Sequence, residues 1–213
     1  MDPLRRRTDK IRKILRSAYP DVKTALAHRN PFELLVATIL SAQTTDRQVN
    51  SVTEALFDRF PTAADLAAAP LGEIEALVRP TGFFHNKARN IKACARALAE
   101  HHDGRVPAEL EALTRLPGVG RKTANVVLGA AFGIPGMVVD THVKRVAGRL
   151  GLTTHSDPVK IEYDLMPLVP KSAWHTFGLQ LIHFGRDVCR ARKPACPDCP
   201  LHHLCPYPDK TGA

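Results

Sequence analysis

Signals that start helices recur along this chain, while the alternation of apolar and polar residues that marks a half-buried strand is nearly absent. Asn30-Pro31-Phe32-Glu33 sets an N-cap residue before a proline suited to the first helical position, and places an acid where it would complete a capping box. Residues 34–40 are then apolar on almost every face, which predicts a central helix covered all round. Thr45-Asp46-Arg47-Gln48 has the same capping-box spacing, and Val49, Val52, Leu56 and Phe60 follow at helical intervals, so this helix buries one face and wets the other. Periodicity predicts further helices over residues 66–78, 87–101, 108–115, 121–131, 141–150, 158–168 and 173–186. The expected fold class is all-α, with no repeat of solenoid period and no low-complexity linker.

The chain has 213 residues, 44% hydrophobic and 24% charged, enough for a core in one large domain or two small ones. Lys and Arg number 30 against 21 Asp and Glu, giving a net charge of +9 and a sequence pI near 9.6. Such a surface attracts polyanions, but charge alone does not separate a nucleic-acid binder from a well-solvated basic protein. No stretch reaches the roughly 18 uninterrupted apolar residues of a spanning helix. The start, Met1-Asp2-Pro3-Leu4-Arg5-Arg6-Arg7, lacks a hydrophobic signal core, so a soluble, cytoplasmic protein is expected.

Cysteine placement is uneven. Cys94 lies alone in an apolar run and reads as core, whereas Cys189, Cys196, Cys199 and Cys205 crowd the tail as C-x6-C-x2-C-x5-C. In a cytosolic chain such a cluster points to metal more than to disulfides, and four thiolates at this spacing can enclose either a tetrahedral zinc or a cubane iron-sulfur cluster.

Leu116-Pro117-Gly118-Val119-Gly120-Arg121-Lys122-Thr123-Ala124 joins two helical segments through a turn with glycines two apart. Glycine permits positive φ and close backbone approach, so amides of the turn and of the next helix can converge on one phosphate. Lys122 falls in the first turn of that helix, where the positive helix end disfavours a second positive charge. Burial would disfavour it further, leaving neutral, nucleophilic amine. Asp140 follows the apolar run Met137-Val138-Val139 and precedes a predicted helix, so its simplest role is N-cap. A carboxylate held there can also stabilise developing positive charge.

Together with Leu40-Ser41-Ala42-Gln43-Thr44-Thr45-Asp46, the run Val138-Val139-Asp140-Thr141-His142-Val143 and the cysteine tail, this hairpin resembles the helix-hairpin-helix DNA glycosylase superfamily. Over nearly the whole chain the resemblance is to its iron-sulfur branch, the endonuclease III family. It implies two lobes. Residues 24–134 would form a six-helix barrel containing the hairpin at about 108–131, and residues 1–23 with 135–213 a helical lobe holding a [4Fe-4S] cluster at residues 189–205. Damaged duplex DNA would lie in the cleft between them. The implied protein is a monomer at the bacterial nucleoid that needs no membrane and no small-molecule cosubstrate.

The same resemblance maps the catalytic lysine onto Lys122 and the catalytic aspartate onto Asp140, and leaves His142 without a defined role. Lys122 would attack C1′ of a damaged pyrimidine nucleotide, expel the base and cut the strand by β-elimination through a Schiff base. Gln43 matches the residue that plugs the gap left by an extruded base. The loop Thr81-Gly82-Phe83-Phe84-His85-Asn86-Lys87 matches a second wedge that is often aliphatic in the family; here it carries Phe83 and Phe84. Leu116, Gly118, Gly120 and Arg121 would contact DNA at the hairpin. Arg190, Arg192 and Lys193 make the cysteine loop basic, and Arg190 and Lys193 are the expected phosphate contacts there. Spacing of the four cysteines agrees with the family's cluster loop residue for residue, which favours [4Fe-4S] over zinc.

Two competing readings stand beside this one. A monofunctional adenine or mismatch glycosylase would share the hairpin, the aspartate and the cluster, but relatives of that kind commonly lack a lysine at the position of Lys122. A noncatalytic DNA-binding module with a structural metal would not need Lys122 and Asp140 together.

Overall fold

A computed structural model describes residues 2–211, and every regular element among them is helical. The α-helices are α1 Pro3–Ala18, α2 Pro31–Leu40, α3 Asp46–Arg59, α4 Ala63–Ala68, α5 Leu71–Val78, α6 Phe84–His101, α7 Leu110–Thr114, α8 Arg121–Phe132, α9 Thr141–Arg149, α10 Pro158–Leu165 and α11 Trp174–Asp187. None of the described helices is long and apolar enough to cross a membrane. The chain divides into two compact units, one of Thr24–Ile134 and one of Met1–Lys23 with Pro135–Ala213.

The Thr24–Ile134 unit is organised around α2, in which Phe32 to Leu40 are all buried. Helices α3, α6 and α8 pack directly against it, which is why a stretch apolar on every face is stable as a helix there. Asn30 caps α2 by accepting from the Glu33 amide at 3.0 Å. The expected capping box does not close: the Glu33 carboxylate reaches past the cap to the Arg29 amide (2.6 Å) and guanidinium (2.8 Å). Thr45 likewise accepts from the Gln48 amide at 3.3 Å, but the Gln48 side chain turns to Ser51 instead of the cap. A complete box occurs where none was predicted, between Thr62 and Asp65 at the start of α4.

One predicted helix, residues 66–78, is two. Pro70 has no amide to donate and bars the preceding residue from helical angles; Ala69 takes φ −55, ψ 142, and α5 restarts at Leu71. Lys92 of α6 donates to the carbonyls of Ala67 and Ala69, supplying donors at the break. The six segments read in this part of the sequence therefore become seven. At the end of α10, Met166 keeps helical angles and residues 166–168 tighten into a 3-10 turn.

In the other unit, α1 has no counterpart among the helices expected from periodicity. Asp2 accepts from the Leu4 amide at 3.0 Å, Pro3 opens the helix, and Thr8, Ile11 and Leu15 form its buried stripe. That stripe is sparse because basic residues fill the intervening positions. Helix α11 packs against both α1 and α9.

Candidate functional site

In the Thr24–Ile134 unit the hairpin runs from α7 through residues 115–120 into α8. The Val119 amide closes the turn on the Leu116 carbonyl at 3.1 Å. Gly118 has φ +76, and a Cβ there would sit 2.9 Å from Cβ of Asn90, so both backbone angle and packing require glycine. Gly120 serves a different end. It is extended, with open space around it, and as N-cap of α8 it supplies no side chain to the first amides of the helix. A helix start without a capping side chain presents its positive end to an exogenous anion.

Arg121 and Lys122 are the first two residues of α8, the former half-buried and the latter exposed. The burial expected for Lys122 is thus not found; its position at the positive end of the helix is. Leu116 leaves only its backbone for the DNA contact expected of it. It is 5% exposed and belongs to the core of this unit, so its side chain is removed from any surface role.

Gln43 and Phe83 are exposed and both have left-handed backbone, with φ +55 and +47. Such angles cost a non-glycine residue about 1–2 kcal/mol, and strain of this kind concentrates at ligand-binding segments. Phe83 is 67% exposed and is the N-cap of α6. Phe84 is half-buried and packs on the core. The ambiguity between the two aromatics is thereby resolved in favour of Phe83 as the solvent-facing one.

In the other unit Asp140 is the N-cap of α9, its Oδ1 accepting from the Val143 amide at 2.9 Å. The preceding Met137, Val138 and Val139 are buried. Close approach of α11 fixes this segment: a Cβ on Gly178 would come within 3.0 Å of the Val138 carbonyl oxygen, and one on Gly185 within 3.1 Å of the His142 Cβ. His142 Nδ1 accepts from Arg145 Nη2 at 3.1 Å. Burial, reinforced by the cationic Arg145 and Arg186, lowers the His142 pKa against the opposing pull of Asp140.

The tail beyond α11 folds as successive tight turns. Ala195 donates to the Val188 carbonyl, Cys199 to that of Cys196, and His202 to that of Cys199. Cys189, Cys196, Cys199 and Cys205 are free thiols that line one cavity of about 30 Å³, roughly two to three times the minimum for one water. Among the described residues no three His, Cys, Asp or Glu groups converge on a single metal-ion position. Arg149 anchors the loop, donating to Cys189 Sγ at 3.4 Å, to the Arg190 carbonyl at 2.7 Å and to the Ala191 carbonyl at 3.1 Å. Arg145 donates to the carbonyls of Gly185 and Cys189, and Arg7 to those of Leu150, Gly151 and Leu204. Arg190, Arg192 and Lys193 are exposed on this loop, with Lys193 at φ +49. Cys94, by contrast, is 1% exposed, and burial pushes its thiol up to about 12.

The sequence reading missed Arg7, Arg145 and Arg149. Their signal was weak, since arginine on an exposed helical face ordinarily reads as solvated charge; only the two arginines four apart on α9 hinted at a shared target. It also missed Gly178 and Gly185, whose seven-residue spacing puts both on one face of α11.

Residues 36–171 match a family model described as HhH-GPD superfamily base excision DNA repair protein. Endonuclease III of Synechocystis sp. is 54% identical over 203 residues, covering 95% of this chain and 93% of the relative. A solved structure of a non-covalent endonuclease III–DNA complex is similar at a TM-score of 0.88 and 46% identity, over 94% of this chain and 95% of that one. A trapped endonuclease III–DNA covalent intermediate is similar at the same TM-score and identity, over 94% and 96%.

Proposed function

This chain belongs to the HhH-GPD superfamily of base excision DNA repair proteins, and from that premise we propose that it is a DNA glycosylase with apurinic/apyrimidinic lyase activity, acting on oxidised pyrimidines in duplex DNA. The observation that carries the reading is the exposed primary amine of Lys122, second residue of a helix that opens from a glycine hairpin with no side chain over its first amides. Phosphate held by those amides and by Arg121 sets the strand in register beside the amine.

Lys122 Nζ, in its neutral form, attacks C1′; the bond from C1′ to the base breaks, and the base leaves with the electron pair and takes up a proton. Opening of the sugar gives an imine between Nζ and C1′. Loss of a C2′ proton then expels the 3′-phosphate by β-elimination, and hydrolysis of the imine restores the amine. Asp140, oriented by the Val143 amide, places its carboxylate charge against the oxocarbenium-like sugar. Gln43 and Phe83 fill the stack behind the extruded nucleotide, while Arg190 and Lys193 hold phosphates without reading sequence. The substrate puts the work in the cytoplasm, at the nucleoid.

The four tail cysteines are the ligands of a [4Fe-4S] cluster in this reading. Support for a cluster over a zinc comes from the C-x6-C-x2-C-x5-C spacing, and the four cysteines that would hold it line one cavity. When bound, the cluster supplies a rigid cross-link, because neither glycosidic cleavage nor β-elimination transfers electrons. Arg149 beside Cys189 would balance thiolate charge. The purified protein is expected to be brown and to contain iron and sulfide. Cys199→Ser should lose the iron, and Cys94→Ser should keep it. A colourless protein holding one zinc per chain would overturn the assignment.

The test of function is incubation with duplexes carrying an oxidised pyrimidine, uracil or an abasic site, with borohydride added to trap any imine. Strand cleavage and a trapped adduct on the oxidised and abasic duplexes are expected. Base release with no adduct would make the enzyme monofunctional, and no reaction on any duplex would make it a binding module.

A further inference from the structure

The two side chains assigned above to the gap in the stack come from separate loops, Gln43 after α2 and Phe83 before α6. Beneath both loops lies one buried lysine. Lys87, in the first turn of α6, is 5% exposed; its Nζ donates to Thr44 Oγ1 at 2.6 Å and to the Thr81 carbonyl at 2.8 Å. Thr44 Oγ1 in turn donates to the same Thr81 carbonyl at 2.5 Å. Thr44 adjoins Gln43, and Thr81 lies two residues before Phe83, so these three groups bind one wedge loop to the other.

The partners of this ammonium are neutral oxygens, and among the described residues it forms no ion pair. Burial without a compensating carboxylate holds Lys87 below the ordinary lysine range. A buried, unpaired charge is an expensive way to fill space, and an apolar side chain of similar length would serve stability better. What the ammonium provides that an apolar chain does not is simultaneous donation to two loops that both hold strained, left-handed residues.

We infer that Lys87 is a positioning residue for lesion recognition, cross-bracing the Gln43 and Phe83 loops so that both side chains enter the duplex as one preset unit. The inference rests on the glycosylase reading and deepens it. Bracing means that the loops are ordered before DNA arrives, so their ordering entropy is not charged against base extrusion. An abasic site has no base to unstack and depends less on the wedge.

The test compares Lys87→Met with wild type on duplex carrying an oxidised pyrimidine and on duplex carrying a preformed abasic site, together with the thermal midpoint. Excision of the base should fall about 10- to 100-fold, abasic-strand cleavage should change by no more than about threefold, and the midpoint should hold or rise. In a Gln43→Ala/Phe83→Ala background, Lys87→Met should add little further loss. Thr44→Val removes the bridging hydroxyl at a partly exposed position and should give the same split between substrates, which keeps the test open if Lys87→Met fails to fold. Unchanged excision by either variant, or parallel loss on both substrates with a lowered midpoint, overturns the positioning role. A wild type that excises nothing overturns the glycosylase reading and this role with it, whereas an active wild type with an equally active Lys87→Met overturns the role alone.

Discussion

Lys122→Gln is expected to eliminate the borohydride-trapped adduct and to collapse strand cleavage on abasic duplex, while binding to damaged duplex persists. Glutamine is similar in length and still donates a hydrogen bond, but it has no amine with which to form an imine. The fold should tolerate the change. Lys122 is exposed in the first turn of α8, where a cation opposes the helix dipole by about 0.3–1 kcal/mol, so removing the charge does not destabilise that helix. The hairpin amides, Arg121 and the basic cysteine loop are untouched, and they carry the salt-dependent part of binding. The measurement is single-turnover adduct formation alongside a binding titration. An adduct forming at the wild-type rate would mean that another amine is the nucleophile, and loss of binding in parallel would mean that Lys122 holds phosphate instead of reacting.

Much of this arrangement was legible in the sequence because it depends on backbone chemistry that particular residues enforce. The turn at Gly118 needs a residue that tolerates φ +76 against Asn90, so glycine marks it. Asp140 stands at a helix start because a carboxylate there satisfies an amide, and the same preference exposed Asn30 and Thr45. Capping-box spacing proved a weaker guide. A Glu or Gln three residues after the cap has other acceptors and donors in reach, and Arg29 and Ser51 took them.

What sequence could not supply was contact between residues far apart in the chain. Arg7 grips carbonyls at 150, 151 and 204, and nothing local distinguishes it from Arg5 or Arg6. Lys87 reads as one more lysine in a basic helix until its burial and its two acceptors are known. Pro70 marks the division of 66–78, but the apolar period on either side of the proline stays in phase and masks it.

Asp140→Asn separates the two duties of that residue. Asparagine is as good an N-cap as aspartate, so its side-chain oxygen can keep the Val143 amide that Asp140 Oδ1 accepts at 2.9 Å, and α9 should remain formed. What disappears is the negative charge. Part of that charge serves the helix, worth about 0.3–1 kcal/mol at an N-terminus; in the proposed reaction the rest opposes the cation that develops on the sugar. Loss of a preorganised electrostatic group of this kind costs on the order of a hundredfold or more in rate, so base release should fall by at least that factor while the thermal midpoint moves little. Asp140→Ala supplies the contrast. It should be comparably slow, but it should also lose about 1 kcal/mol of stability, because the cap goes with the charge. Two outcomes would undo the assignment: an Asn variant that releases base at near the wild-type rate, or one whose rate loss is matched by unfolding as large as that of the Ala variant. The first would reduce Asp140 to a helix cap, and the second would show that its carboxylate is needed to hold α9, not to act on the sugar.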